Sequence, residues 1–254
     1  MIHKSGQLSP LGGRFPGSLS VKSLTKVYDG APVVSEVSFS LPQLRVVALA
    51  GGNGSGKSTL LKMIAGVTSP DAGSVVWNEE SLPAGDCKSA RSRGIELIHQ
   101  DGGLCHERSI LENLFLGREH VSRIGLLRMS HMRSLADELI ARYELPLPGV
   151  GAKVRHLSGG QRKAVAIGRA LLSKPRLLLL DEPTAALGVK EQQMVLRTLR
   201  ELAAEGVGIV LCTHSPDEIV EVAEHLLVLS RGELIGNLTL PGPTKAELAL
   251  MMST

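Results

Sequence analysis

Cysteine is scarce in this chain. Cys87, Cys105 and Cys212 are odd in number and show no C-x-x-C spacing, which excludes a disulfide framework or a zinc site and favours a reducing compartment. Long hydrophobic runs are missing as well. No stretch reaches about 18 uncharged apolar residues, and the N-terminus lacks the apolar run of a signal peptide, so a soluble chain is expected. The formal net charge is only +3, and Lys and Arg are dispersed instead of forming a run, which argues against a nucleic-acid partner. Aromatics make up 2% of the 254 residues, so one standing in a conspicuous place draws attention. A hydrophobic content of 43% excludes disorder and allows one large domain or a core with a subdomain.

Against these absences stands one dense motif, Gly51-Gly52-Asn53-Gly54-Ser55-Gly56-Lys57-Ser58-Thr59. It matches G-x-x-x-x-G-K-[ST]. Val46 to Ala50 enters it as an apolar strand, and Leu60, Leu61 and Ile64 leave it at helical spacing. Glycines let successive backbone N–H groups turn toward an anion, and the helix that follows adds its positive end. Lys57 is expected to neutralise the β- and γ-phosphates of ATP, and Ser58 to hold Mg²⁺.

Residues 1–17, rich in Gly, Ser and Pro, read as a flexible extension. Runs from Leu19 to Val27, Val33 to Leu41 and Val46 to Ala50 read as strands. Tyr28, in the turn between the first two, either offers a flat face to adenine or is a surface turn residue. Gly94 to Gln100 reads as a core strand. Its end makes Gln100 a candidate for the metal and the attacking water, a weak signal taken alone. The segment from Asp101 to His156 breaks the α/β alternation with helical patterns, one opened by a capping box at Ser109-Ile110-Leu111-Glu112.

Three further signals lie downstream. Ser158-Gly159-Gly160-Gln161 opens a helix and is either a second anion site or a plain cap. Leu177 to Leu180 is uniformly apolar and then abruptly acidic, as suits a doubly buried strand delivering carboxylates to its exit. There Asp181 would bind Mg²⁺ through water and Glu182 would polarise the attacking water. Val207 to Cys212 is another buried strand ending at His214, either structural or a γ-phosphate ligand. A capping box at Ser215-Pro216-Asp217-Glu218, a hairpin turning at Arg231-Gly232 and a last helix capped by Thr244 and Glu247 complete the pattern.

The phosphate loop, Gln100, Leu157 to Gln161, Asp181-Glu182-Pro183 and His214, in that order, resemble the nucleotide-binding subunit of an ABC transporter over nearly the whole chain. The resemblance implies an α/β P-loop NTPase (RecA-like) core with an antiparallel β subdomain and an inserted helical subdomain near 101–157. It implies an ATPase domain over 18–240 and a helical tail at 241–254. It makes Tyr28 the adenine-stacking aromatic, Gln100 the Q-loop glutamine, Ser158-Gly159-Gly160-Gln161 the signature loop, Glu182 the catalytic base and His214 the switch histidine. It further implies two composite sites in a head-to-tail homodimer, transmembrane permease subunits as partners and a place on the inner face of the cell membrane.

Ile98-His99-Gln100, Ser109 to Glu119 and Thr184 to Glu191 look more narrowly like the ATPases of bacterial ribose, xylose and fructose-type sugar importers, the single-cassette kind, which implies a separate sugar-binding protein as an indirect partner. The chain departs from most cassettes at Gly188, where an Asp is usual, and from the commoner sugar-importer form at Asp101-Gly102-Gly103. An ABC-type ATPase of DNA repair or translation is the alternative, but the interval from Gln100 to Ser158 is too short for a coiled-coil insertion. A P-loop kinase would lack the signature pentapeptide.

Overall fold

Uniformly apolar runs can be buried on both faces only in a parallel sheet covered by helices, and the chain obeys this. In the computed structural model, which describes residues 17–252, the strands are β1 (Leu19–Tyr28), β2 (Ala31–Leu41), β3 (Val46–Ala50), β4 (Ala72–Trp77), β5 (Glu80–Leu82), β6 (Ile95–Ile98), β7 (Leu177–Asp181), β8 (Gly208–Thr213), β9 (His225–Ser230) and β10 (Glu233–Thr239). The helices are α1 (Lys57–Ile64), α2 (Cys87–Ser92), α3 (Ile110–Phe115), α4 (Met129–Arg142), α5 (Gly159–Leu171), α6 (Val189–Ala204), α7 (Pro216–Val222) and α8 (Lys245–Met252). Apart from Gly17, the extension expected over residues 1–17 lies outside the described residues.

Two sheets form. The larger, in the order β10-β9-β3-β8-β7-β6, is parallel except for β10, and every residue of β3, β7 and β8 is buried. The smaller, β2-β1-β4-β5, is antiparallel. Its first hairpin turns at Asp29 and Gly30, both at positive φ, as a two-residue turn between right-twisted strands requires. The terminal hairpin turns the same way at Arg231 and Gly232.

Between β6 and β7 the chain makes α3, α4 and α5. The expected capping box at Ser109 and Glu112 is present and reciprocal. Leu114, Phe115, Met132, Leu135 and Val165 form their own apolar cluster, so α5 belongs to this helical layer on one side and covers the main sheet with Ile167 and Leu171 on the other. A short β-bridge between Val121 and Leu127, which no sequence pattern announced, joins α3 to α4. Gln100 does not end β6: the strand stops at Ile98, and Gln100 lies in the turn that follows.

Candidate functional site

The cradle owes its shape to backbone that only glycine tolerates. Gly51 has φ +149°, and a Cβ there would lie 2.1 Å from the carbonyl oxygen of Leu229; Gly56 has φ +100° with Val33 O at 2.5 Å. Gly56 is the N-cap of α1 and so offers no side chain to the first amides of that helix, whose first turn also carries no acid. Those N–H groups are left for an external anion. Lys57 is only 5% exposed, and its Nζ donates to Gly51 O at 2.9 Å and Gly52 O at 2.8 Å, so the ammonium spans the bend of the loop.

The acidic end of β7 faces this loop. Ser58 Oγ donates to Asp181 Oδ1 at 2.8 Å, joining the start of α1 to the strand. Glu182 follows at φ +46°, a left-handed conformation that costs a non-glycine residue roughly 1–2 kcal/mol and marks a position held by its surroundings. Its Oε2 accepts from Gln100 Nε2 at 3.3 Å, and its Oε1 stands 3.6 Å from His214 Nδ1. Glu182 therefore meets the ends of β6 and β8 as well as β7. It also lines a cavity of about 180 Å³ with Val33 and residues 53–59. Among the described residues no group of three or more His, Cys, Asp or Glu gathers as a metal cage. One hydroxyl and one carboxylate already in contact are hard oxygen donors, and they fit Mg²⁺ held chiefly by substrate phosphates.

Residues 34–185 match the model of the ABC transporter family. The chain belongs to that family. It is 38% identical over 217 residues to the xylose/arabinose import ATP-binding protein of Sulfolobus acidocaldarius, covering 85% of this chain and 86% of the relative. It is 36% identical to the ribose import ATP-binding protein of Hahella chejuensis over 92% of this chain, but it spans only 46% of that relative's length. Among solved structures, a dimeric ATP-binding cassette in a post-hydrolysis state, bound to ADP and phosphate, superposes with a TM-score of 0.75 at 28% identity, covering 89% of this chain and all of the other. This ABC chain is thus an ATP-binding cassette, the ATPase component, with the expected P-loop α/β fold.

Lys57, Ser58, Gln100, Asp181, Glu182 and His214 converge within this one ABC cassette. Two other expected groups stand apart from them. Tyr28 is 45% exposed and does not line the cavity; its ring lies 5.3 Å from the Lys26 ammonium. Ser158, Gly159, Gly160 and Gln161 do not line it either. There Ser158 Oγ accepts from Gln161 N–H at 3.2 Å while Gln161 Oε1 accepts from Ser158 N–H at 2.9 Å, a complete capping box at the start of α5. Gly160 is required because Glu191 of α6 occupies the place of a Cβ, with its Cγ at 2.4 Å. Gly188, at the N-cap of α6, gives no side-chain cap, and a carboxylate oxygen of Glu191 lies 2.7 Å from its Cβ position.

The sequence pattern misassigned one carboxylate. Ser215 does cap α7 by accepting from Glu218 N–H, but the Glu218 carboxylate does not return the bond. It is buried instead, accepting from Thr184 Oγ1 and Thr213 Oγ1, each at 2.6 Å. Glu218 so ties the loop after Glu182 to the strand end before His214. Two hydroxyl donors stabilise a buried carboxylate better than a helix N–H facing water, and only tertiary contact brings those hydroxyls together.

Proposed function

We propose that this cassette binds and hydrolyses ATP to energise the import of a monosaccharide through a membrane permease, working as a head-to-tail homodimer. The observation that carries the reading is the position of Glu182, whose two carboxylate oxygens face Gln100 and His214 one residue beyond the carboxylate that engages Ser58. In this reading Glu182 is the general base, accepting a proton from the water that attacks the γ-phosphate. Gln100 orients that water, and His214 holds the γ-phosphate oxygens. The Lys57 ammonium leaves the carbonyls of Gly51 and Gly52 for the β- and γ-phosphates, to which the amides of residues 52–59 also donate. Ser58, Asp181 and Gln100 would hold Mg²⁺, which supplies charge neutralisation between the β- and γ-phosphates. Tyr28, exposed at the end of β1, stacks on the adenine.

Ser158, Gly159, Gly160 and Gln161 complete the site of a second copy. That they do not line the cradle cavity of their own chain, and the dimeric state of the solved ADP-bound relative, support this. The names of the xylose/arabinose and ribose import relatives support a sugar as cargo. Import by this reading engages transmembrane permease subunits at the inner face of the cell membrane and, indirectly, a sugar-binding protein. Residues 18–240 are the ATPase domain, 101–157 its helical subdomain and 241–254 a helical tail. Glu182→Gln keeps the size and removes the base. It should bind ATP as the parent does and lose steady-state turnover by about 10²–10⁴-fold. ATP turnover by that variant at the parental rate would refute the assignment.

A further inference from the structure

We propose that Lys163, on the helix that begins at the signature loop, is a positioning residue for Gln100, holding the glutamine where its amide meets Glu182. The proposal rests on the hydrolytic reading above and deepens it. Lys163 is 7% exposed, and its Nζ donates to the backbone oxygen of Gln100 at 2.6 Å, while the side chain of the same Gln100 donates to Glu182. A buried ammonium requires compensation: the Gln100 carbonyl accepts its hydrogen bond while the carboxylates of Asp181, Asp101 and Glu182 attract its charge, so the lysine ties the turn to the acidic end of the site.

The rest of the turn is seated on the same helix. Arg169 donates from Nη2 to Gly102 O at 2.6 Å and from Nη1 to Gly103 O at 2.8 Å. Between them, Ala166 sits under Gly102, its Cβ 3.3 Å from the point where a Cβ on Gly102 would lie. Lys163, Ala166 and Arg169 are spaced three apart and form one ridge of α5. Gly102 and Gly103 both adopt positive φ and turn their two carbonyls to that ridge, which explains the glycine pair in Asp101-Gly102-Gly103. The turn 100–103 is thereby a passenger of α5. The helix that starts at Ser158 thus sets the place of the side chain facing the catalytic carboxylate, and a shift of its first turns draws Gln100 away from Glu182.

Lys163→Met, measured on the full chain, should lower kcat for ATP hydrolysis roughly 10- to 100-fold with a much smaller change in KM, as expected for misplacement of a water-orienting group. Some melting temperature should be lost, because the Gln100 carbonyl is left without its donor; the positioning role is read from kcat in the folded protein well below its Tm, which a merely structural lysine would leave at the parental value. In a Gln100→Ala background, Lys163→Met should bring no further loss. If Lys163→Met does not fold, Lys163→Gln is put through the same cycle. Turnover within twofold of the parent, or losses that multiply in the double variant, overturn the role of Lys163. A parent chain that binds no ATP and shows no turnover overturns the hydrolytic reading itself, and this proposal with it.

Discussion

The Lys57 ammonium already makes hydrogen bonds to the carbonyls of Gly51 and Gly52, so it does not wait as a free charge. Binding ATP exchanges those neutral acceptors for anionic phosphate oxygens, which adds charge–charge attraction to bonds that the ammonium already strengthens. Lys57→Ala removes both sets. ATP affinity should fall about 10- to 150-fold, in line with the 1.5–3 kcal/mol of a charged hydrogen bond, as isothermal titration would register. Undiminished affinity would place the phosphates elsewhere. The residues that carry chemistry were legible because their spacing is local: the loop from Gly51 to Thr59 is a continuous stretch, and Asp181-Glu182 ends an unmistakably buried strand. Glu218 and Lys163 were not. Glu218 follows a Ser at capping distance and Lys163 is one cation in a polar helix turn, while Glu218 pairs with Thr184, 34 residues away, as well as with nearby Thr213, and the partner of Lys163 is 63 residues away.

Among the elements, α5 has the most demanding environment. Its first turn is capped by Ser158 and Gln161, its ridge holds the turn 100–103, and its far side packs on α3 and α4 at Gly168. A Cβ at Gly168 would sit 3.1 Å from Leu114 Cδ2 and 3.2 Å from Leu139 Cδ2. That packing explains a glycine in the middle of a helix, where it costs about 1 kcal/mol relative to alanine. Gly168→Val should destabilise the fold by about 1–3 kcal/mol through overpacking, read as a lower urea midpoint at constant slope. An unchanged midpoint would mean that the two helices part without cost. The helical patterns between Asp101 and His156 and the opening of a helix at Ser158 were visible in the sequence, yet the reason for Gly168 was not, since it lies in leucines of other elements.

At the scale of the whole molecule, this polypeptide forms the cradle and its carboxylates, while Ser158 and its neighbours stand outside the cavity they are proposed to complete. A single copy is then a binding module, and two copies make the hydrolytic machine. Ser158→Arg puts a bulky cation at the start of α5. It should leave ATP binding by the monomer within a few tenths of a kcal/mol of the parent, as usual for exposed sites, and prevent the ATP-induced shift to a dimer in light scattering. Dimers forming as before would argue against the shared site. No helix among the described residues is long and apolar enough to cross a membrane.

Alone, the order of residues determined the α/β class, the strand-loop-helix that bends around a phosphate, and the acidic strand exit, because hydrophobic period and glycine placement act over a few neighbours. The tertiary structure decided what depends on strand order: β7 lies between β6 and β8, and that adjacency brings Gln100 and His214 to the two oxygens of Glu182. It also decided that Tyr28 stands away from the cavity, that Glu218 joins two loops instead of closing a cap, and that the turn at Gln100 rests on Lys163. Each of these is a hydrogen bond or an exposure set by how the elements pack, and that packing decides which donor reaches which acceptor.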